Sequence, residues 1–179
     1  MLSALDLFCG YGGWSDGFAA EGFEVLGIDI EPGIAKWYPY PLITTDVRTL
    51  DGDRLTGQFD VILASPPCQE FSSARRPRLA NPDMSCVNAT KDIIARAKPR
   101  FWVMENVRGA IAHIGAPTIR FFPWYFWGHF PGFLKYCERA PRKNIGSGKS
   151  RRWRDSRTVA MIPLQISTAI AHACRVNLE

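Results

Sequence analysis

A cysteine and a glutamate stand at the ends of two apolar stretches of this sequence. Cys68 follows two prolines after the run 59–64, and Glu105 follows the run 101–104. A thiolate there can attack an electrophilic ring carbon, and a partly protonated carboxyl can hydrogen-bond to a ring nitrogen or protonate it. Alone, each residue also suits a structural role, as a buried thiol or as an acid paired with an arginine. Together they favour a nucleophile and an acid that act on one ring.

The elements that must position these residues alternate between short apolar runs and helical segments. Strands are predicted at 4–8, 24–29, 42–44, 59–64 and 101–104, and helices at about 14–21, 32–37 and 88–98. This alternation predicts an α/β fold with a mostly parallel sheet and helices on both faces. Further along, β structure is predicted within 121–130 and a closing helix at 166–176. Ligands of such sheets bind at the carboxyl ends of the strands, so the polar residues there form the candidate site.

A glycine-rich turn after the first predicted strand indicates an adenosine-containing cofactor. The turn reads Cys-Gly-Tyr-Gly-Gly over 9–13, and glycines let a backbone turn tightly and approach a ligand closely. Asp29, at the end of the second strand, is placed to accept hydrogen bonds from a ribose diol. Asp46 follows the third strand, within reach of an adenine amino group. The glycine spacing is neither that of the dinucleotide fingerprint nor that of a Walker loop, which disfavours NAD and nucleoside triphosphates.

Composition narrows the class of protein. A chain of 179 residues with 46% hydrophobic content predicts one domain, 1–179, with a sizeable core. The sequence has no apolar run long enough for a membrane span and no basic leader before its first acid. Its five cysteines form no CxxC pair and its three histidines lack ligand spacing, so we expect neither disulfides nor a metal site. A reducing, cytoplasmic setting in a prokaryotic or phage-infected cell is expected.

Positive charge is concentrated late in the sequence. The net charge is +5, and Lys and Arg greatly outnumber acids between residues 135 and 157, where Tyr136 and Trp153 are interleaved with them. This composition suits a phosphate-binding segment for nucleic acid, although a solvated loop can have the same composition.

Three stretches resemble the motifs of the cytosine-C5 DNA methyltransferases. Asp-Leu-Phe-Cys-Gly-Tyr-Gly-Gly-Trp-Ser-Asp-Gly-Phe at 6–18 resembles the first motif, and Pro-Pro-Cys-Gln-x-Phe-Ser at 66–72 is similar to the nucleophile motif. Glu-Asn-Val at 105–107 resembles the third, and all three stand in the family's order. The resemblance covers roughly residues 3–110. It implies a Rossmann-like, S-adenosylmethionine-dependent fold that methylates carbon 5 of cytosine in DNA.

The resemblance also implies roles for the matched residues. The target cytosine leaves the duplex, because its ring is unreachable inside the stack. Cys68 would add to ring carbon 6, and Glu105 would engage N3 and the exocyclic amine. Arg120, in a segment loosely similar to another motif, would be the third catalytic residue; the position of the usual second arginine holds Phe122.

The same resemblance implies the cofactor site. Asp29 would hold the ribose of S-adenosylmethionine and Asp46 the adenine amino group, while Ile30 would pack on the adenine face. The other positions implied to bind this cofactor are Phe8, Gly10, Gly12, Gly13 and Pro67. No metal is implied.

The chain departs from the family pattern after residue 128. Members usually carry a long target-recognition domain where this chain has a short basic segment, 129–157. A protein partner or a second copy is therefore a candidate source of target recognition. Beyond this segment, Ile162-Pro163 and the following helix resemble the final motif, which folds back onto the cofactor domain.

Three other functions compete with this interpretation. An adenine-N6 or cytosine-N4 methyltransferase shares Ser-Pro-Pro at 65–67 but would have Tyr or Trp where this chain has Cys68. A cytosine-C5 methyltransferase of RNA would use the same residues. A non-catalytic nucleic-acid-binding relic is disfavoured because Cys68 and Glu105 are both present.

Overall fold

The structure is a computed structural model of the chain and describes residues 1–72, 81–137 and 161–179. In the described residues the strands are β1 (Ser3–Leu7), β2 (Glu24–Asp29), β3 (Leu42–Thr44), β4 (Val61–Ala64), β5 (Phe101–Asn106), β6 (Ile119–Phe121) and β7 (Trp124–His129). The α-helices are α1 (Gly13–Ala20), α2 (Ser85–Ala97), α3 (Ile111–Ile114) and α4 (Leu164–Leu178). Short 3₁₀ turns lie at Pro32–Lys36, Val47–Thr49, Gly52–Leu55, Arg108–Ala110 and Leu134–Tyr136.

All seven strands form one sheet in the order β3-β2-β1-β4-β5-β7-β6. Strands β1 to β5 are mutually parallel, and β7 runs antiparallel to both of its neighbours. The chain passes from β1 to β2 on one side and later to β4 on the other, so the strand order reverses beside β1. Ligands of open α/β sheets bind at such a switch point. The predicted mostly parallel α/β fold is confirmed.

Helices cover both faces of the sheet, as predicted. On one face, Ala4 of β1 and Val103 of β5 lie in a buried cluster with side chains of α1 and α4. On the other face, Leu5 and Leu7 of β1 lie in a second buried cluster with side chains of α2. Successive residues of a strand point to opposite faces, so strands covered on both faces must be apolar throughout. The fully buried Val-Ile-Leu-Ala sequence of β4 satisfies this requirement.

The closing helix α4 packs directly on α1 through a glycine. A Cβ atom built on Gly17 would lie 2.3 Å from the Ser167 Oγ and 2.4 Å from the Thr168 backbone nitrogen. Glu21, at the end of α1, pairs with His172 Nδ1 at 3.0 Å and with Arg175 Nε at 3.1 Å. These contacts bring the C-terminal residues back against the first helix and the glycine turn that precedes it.

Several boundaries differ from the sequence predictions for local reasons. β1 ends at Leu7 rather than residue 8, because Phe8 has a positive φ of 63° that turns the chain out of the strand. α2 begins at Ser85, three residues early, where Asp83 accepts a hydrogen bond from the Ser85 backbone N–H at 2.8 Å. The aromatic stretch 121–130 forms the end of β6, a tight hairpin and β7.

Two further boundaries concern predicted site residues. Strand β5 continues through Glu105 to Asn106, so this glutamate lies inside the strand. Strand β3 ends at Thr44, so Asp46 lies in the following turn. Of the basic segment 129–157, residues 138–157 lie outside the described residues.

Candidate active site

Two loops and the end of a strand meet at the carboxyl edge of the sheet. In the strand pairing, Ala64 of β4 lies beside both Leu7 of β1 and Met104 of β5. The glycine turn after β1, the Cys68 loop after β4 and the Glu105 end of β5 therefore lie side by side. The predicted thiol, carboxyl and glycine turn lie along one rim, as expected for parallel strands.

The backbone around Cys68 is fixed by several hydrogen bonds. Trp14 Nε1 donates to Ser65 Oγ at 3.0 Å, and Asn106 Nδ2 donates to the Pro66 carbonyl oxygen at 3.0 Å. After the cysteine, the Phe71 N–H donates to the Cys68 carbonyl oxygen at 3.0 Å. Cys68 itself is half-buried. Its thiol therefore lies on a restrained loop with partial access to solvent. This environment is more typical of a nucleophilic cysteine than of an inert cysteine in a core.

Glu105 is positioned by the junction of β5 with β7. It is half-buried and lies directly opposite Phe126, a side chain of the cluster beneath α1 and α4. Directly paired residues project to the same face of a sheet, so Glu105 projects to that face. The next residue, Asn106, projects to the other face and is fully buried.

The glycine turn is tied to the end of β2 by Asp29. The Gly10 backbone N–H donates to Asp29 Oδ2 at 2.9 Å, and the Glu31 N–H donates to Oδ1 at 3.0 Å. Gly10 has a φ of +50° and Gly12 a φ of +92°, a left-handed backbone that favours glycine. A carboxylate has about four lone-pair sites, so Asp29, which is half-buried, retains acceptor capacity for a ligand hydroxyl. Ile30 beside it is 62% exposed and offers an apolar surface.

The other predicted cofactor positions lie around the same turn. Phe8 is half-buried and packs against the cluster beneath α2, while Pro67 is exposed. Gly13 begins α1, and a Cβ atom there would lie 2.8 Å from the Ile162 backbone nitrogen. Glycine at this position therefore permits the close approach of the segment leading into α4.

Asp46 has a partner that sequence reasoning missed. Its carboxylate accepts hydrogen bonds from the Arg48 backbone N–H at 2.9 Å and from Arg48 Nε at 3.0 Å. The guanidinium hydrogen bond and the backbone hydrogen bond together hold the pKa of Asp46 below its usual value. The Asp-x-Arg spacing was the signal in the sequence for this partner, since Asp and Asn side chains in turns often accept a hydrogen bond from the backbone N–H two residues later.

A buried polar network beneath the glycine turn was also missed. Ser15 Oγ donates to Asp6 Oδ2 at 2.6 Å and is hydrogen-bonded to the Tyr38 hydroxyl at 2.8 Å. Tyr38 reaches Ser15 across Gly27, where a Cβ atom would lie 2.3 Å from its hydroxyl oxygen. Burial raises the pKa of Asp6 to about 7. Within the part of the chain that the structure describes, Asp6 Oδ1 has no hydrogen-bond partner. The signal for this network in the sequence was Asp6 itself, an acid inside the apolar run of the first strand, because a buried polar group needs hydrogen-bond partners.

Arg120 is the one predicted catalytic residue that the strands place apart from the others. It is exposed on β6, two strands from β5, and lies opposite Tyr125. Tyr125 belongs to the cluster beneath α2, so Arg120 and Glu105 project from opposite faces of the sheet.

Neither a metal-binding cluster nor a membrane-spanning helix occurs in the part of the chain that the structure describes. Across 1–72, 81–137 and 161–179, no group of three His, Cys, Asp or Glu side chains is gathered as metal ligands. None of the helices described is long and apolar enough to cross a bilayer.

Comparison with known proteins places this arrangement in a family. The profile of the C-5 cytosine-specific DNA methylases matches residues 2–119, which include the glycine turn, the Cys68 loop and Glu105. The chain is 37% identical over 112 residues to the Type II methyltransferase M.AplI of Arthrospira platensis, covering 62% of this chain and 32% of that protein. It is 33% identical over 131 residues to M1.HphI of Haemophilus parahaemolyticus, covering 65% and 35%.

A solved structure shows the same fold. A DNA modification methyltransferase encoded within an E. coli prophage superposes with a TM-score of 0.50 at 27% identity, over 62% of this chain and 33% of that chain. The chain thus spans about a third of the length of the curated relatives named above. A methyl donor is implied by this relationship. Since the family profile covers more than half of the sequence and includes the glycine turn, the Cys68 loop and Glu105, the chain belongs to the C-5 cytosine-specific DNA methylase family.

Proposed function

We propose that this chain transfers a methyl group from S-adenosylmethionine to carbon 5 of cytosine in DNA, through a covalent Cys68 adduct on a flipped base. The observation that supports this most strongly is the strand pairing of Ala64 with Leu7 and Met104. Because of this pairing, the proposed thiol, carboxyl and glycine turn share one rim. The match to the profile of the C-5 cytosine-specific DNA methylases supports DNA as the substrate.

The residues around the glycine turn fit S-adenosylmethionine. Asp29 is held by two backbone N–H groups and retains acceptor sites for a ribose diol. The exposed Ile30 provides an apolar face for adenine. Asp46, whose carboxylate is held by Arg48, is proposed to accept a hydrogen bond from the adenine amino group. Phe8, Gly10, Gly12, Gly13 and Pro67 complete the proposed site. S-adenosylmethionine, when bound, supplies an electrophilic methyl group.

Cys68 and Glu105 are proposed to activate the base between them. The Cys68 thiolate forms a bond to carbon 6 while Glu105 gives a proton to N3, so that carbon 5 becomes an enamine-like nucleophile. Carbon 5 takes the methyl group from the sulfonium, which is left as a neutral thioether. Loss of the carbon 5 proton to a base then restores the ring double bond and expels the thiolate, while N3 returns its proton to Glu105. Arg120 projects from the opposite face of the sheet to Glu105, so it is proposed to contact the DNA outside the flipped base. The reaction needs a flipped base, because ring carbon 6 is inaccessible in the stack.

The proposed organisation is one catalytic domain, 1–179, with the short basic segment 129–157 in place of a target-recognition domain. Because the short basic segment stands where family members usually carry a long target-recognition domain, a protein partner or a second copy is proposed to supply target recognition. The bacterial sources of those relatives support activity in the cytoplasm of a prokaryotic or phage-infected cell, within a DNA-modification system.

The proposal is tested by incubating the chain with labelled S-adenosylmethionine and unmethylated duplex DNA, then identifying modified nucleosides by mass spectrometry. We expect 5-methylcytosine, and we expect Cys68→Ala to abolish it while binding of the cofactor persists. A second assay uses DNA that contains 5-fluorocytosine, which traps the covalent adduct because the fluorine cannot leave as a proton does. Formation of N4-methylcytosine or N6-methyladenine contradicts the role of Cys68, and methylation of RNA alone contradicts the substrate.

A further inference from the structure

The segment that follows β5 holds the chain just before Cys68. Asn106 is fully buried, and its Nδ2 donates to the Pro66 carbonyl oxygen at 3.0 Å. Its Oδ1 accepts the Val107 backbone N–H at 2.8 Å. Both ends of this amide are thus used, and a buried amide that is bonded at both ends cannot rotate without losing hydrogen bonds. The entry to the Cys68 loop is fixed to the end of β5.

The same segment also contacts the chain just after Cys68, at Phe71. The ring of Phe71 is 4% exposed and lies beside the His113 ring, with centroids 5.8 Å apart. Its backbone carbonyl oxygen lies against Gly109, where an added Cβ atom would be only 1.9 Å away. Gly109 does not adopt the left-handed conformation in which other residues are strained, so glycine is required here for space alone.

We propose that Gly109 is a positioning residue for Cys68, a role that rests on the proposed function. The Phe71 carbonyl must move by more than an ångström before a methyl group on residue 109 reaches ordinary contact. Phe71 cannot move alone, because its N–H is bonded to the Cys68 carbonyl oxygen at 3.0 Å. A displacement at Gly109 is therefore transmitted through one hydrogen bond to the nucleophile. A misplacement of about 1 Å at a reacting atom can cost on the order of 100-fold in rate.

The experiment compares Gly109→Ala with the unaltered chain. We expect kcat for methyl transfer to unmethylated duplex DNA, and the rate of adduct formation with 5-fluorocytosine DNA, to fall by roughly 100-fold. The Kd for S-adenosylmethionine should stay within about twofold, since the cofactor turn lies on the other side of the Cys68 loop. The control is Ala20→Ser, which also adds one heavy atom, at an exposed position on α1 outside the proposed catalytic and DNA-binding residues. It should leave both rates unchanged.

Two further measurements keep the proposal falsifiable. His113→Ala removes the exposed ring that packs on Phe71 without inserting any atom, so it should lower kcat several-fold even if Gly109→Ala does not fold. Alkylation of Cys68 by iodoacetamide, mapped by peptide mass spectrometry, reports its placement without any activity. We expect Gly109→Ala to change that rate at least threefold and to leave the half-buried Cys137 unchanged.

The outcomes separate this inference from the proposed function. If the unaltered chain makes neither 5-methylcytosine nor an adduct, the proposed function fails and the alkylation rates alone decide whether Gly109 positions Cys68. If the unaltered chain is active and a folded Gly109→Ala variant keeps its kcat, adduct rate and Cys68 alkylation rate, the positioning role of Gly109 is wrong.

Discussion

The Gly10 backbone N–H donates to Asp29 Oδ2 at 2.9 Å, which joins the turn after β1 to the end of β2. Asp29 thereby has two tasks. It fixes a left-handed glycine in the turn that is proposed to receive the cofactor, and its remaining acceptor sites are proposed to bind the ribose hydroxyls. The turn and the carboxylate are pre-organised together, so less ordering is required when a ligand binds.

The first prediction follows from these two tasks. Asp29→Ala should weaken binding of S-adenosylmethionine by roughly 10- to 100-fold, because a charged hydrogen bond contributes about 1.5–3 kcal/mol. Asp29→Asn should lose less, since its side-chain oxygen can still accept the Gly10 N–H. The control is Glu24→Ala, an exposed acid at the opposite end of β2. Calorimetric titration measures the Kd, and equal affinity in all four proteins would place the ribose contact elsewhere.

The sequence predicted the parallel half of the fold well because its signals are local. Strand β4 is a continuous apolar run that can be identified from the sequence, and Cys68 follows it. Glu105 lies near the end of β5, which can be identified in the same way. The order of the strands along the chain then sufficed to place the two residues on one rim.

The features that the sequence did not predict depend on contacts between distant residues. Tyr38 meets Ser15 only because β2 lies beside β1 and Gly27 leaves room for the tyrosine ring. Arg120 and Glu105 project from opposite faces of the sheet because of the register of two antiparallel strand pairs. A change of register by one residue would move a side chain to the other face.

The second prediction concerns pH and the buried Asp6. Burial raises its pKa from 3.8 to about 7, and the nearby Asp16 and Asp29 carboxylates add to the shift. Below about pH 4 the group is protonated in both folded and unfolded chains, so it then carries no penalty. Between about pH 4 and 7 folding takes up a proton, and stability from this group falls as pH rises, by up to about 1.4 kcal/mol per pH unit. Above about pH 7 the loss is complete.

Asp6→Asn should remove this dependence, because an amide does not titrate. The free energy of unfolding of the variant, relative to that of the unaltered chain, should therefore increase steadily between pH 4 and 7. Urea denaturation at a series of pH values measures both curves. Two parallel curves would show that Asp6 is ionised throughout this range.

The third prediction concerns the contact between α1 and α4. Gly17→Ala inserts a methyl group where Ser167 Oγ and a backbone nitrogen lie within 2.4 Å, so the two helices must separate. Overpacking of this kind costs about 1–3 kcal/mol, or roughly 2–4 °C in Tm for each kcal/mol in a chain of this size. Ala20→Ser, on the exposed side of the same helix, is the control and should change Tm by less than about 1 °C. A Gly17→Ala variant with an unchanged Tm would show that α4 does not depend on this contact.

The fourth prediction tests the basic segment through the salt dependence of DNA binding. Each phosphate contact releases counterions, so log K decreases as log salt increases. The magnitude of this negative slope should decrease by about 0.9 for every contact removed. Arg151→Gln combined with Arg152→Gln removes two positive charges from the segment. Arg54→Gln combined with Arg100→Gln removes the same charge from exposed sites that precede β4 and β5, at the edge opposite the rim.

Fluorescence anisotropy with duplex DNA across a salt series distinguishes the two pairs. If the basic segment contacts phosphates, the first pair lowers both the affinity and the slope, whereas the second pair changes them little because its sites face away from the proposed active site. Equal effects of the two pairs would mean that the net charge of +5 attracts DNA without a localised contact. Affinity that does not vary with salt in the unaltered chain would contradict a phosphate-binding role for the segment altogether.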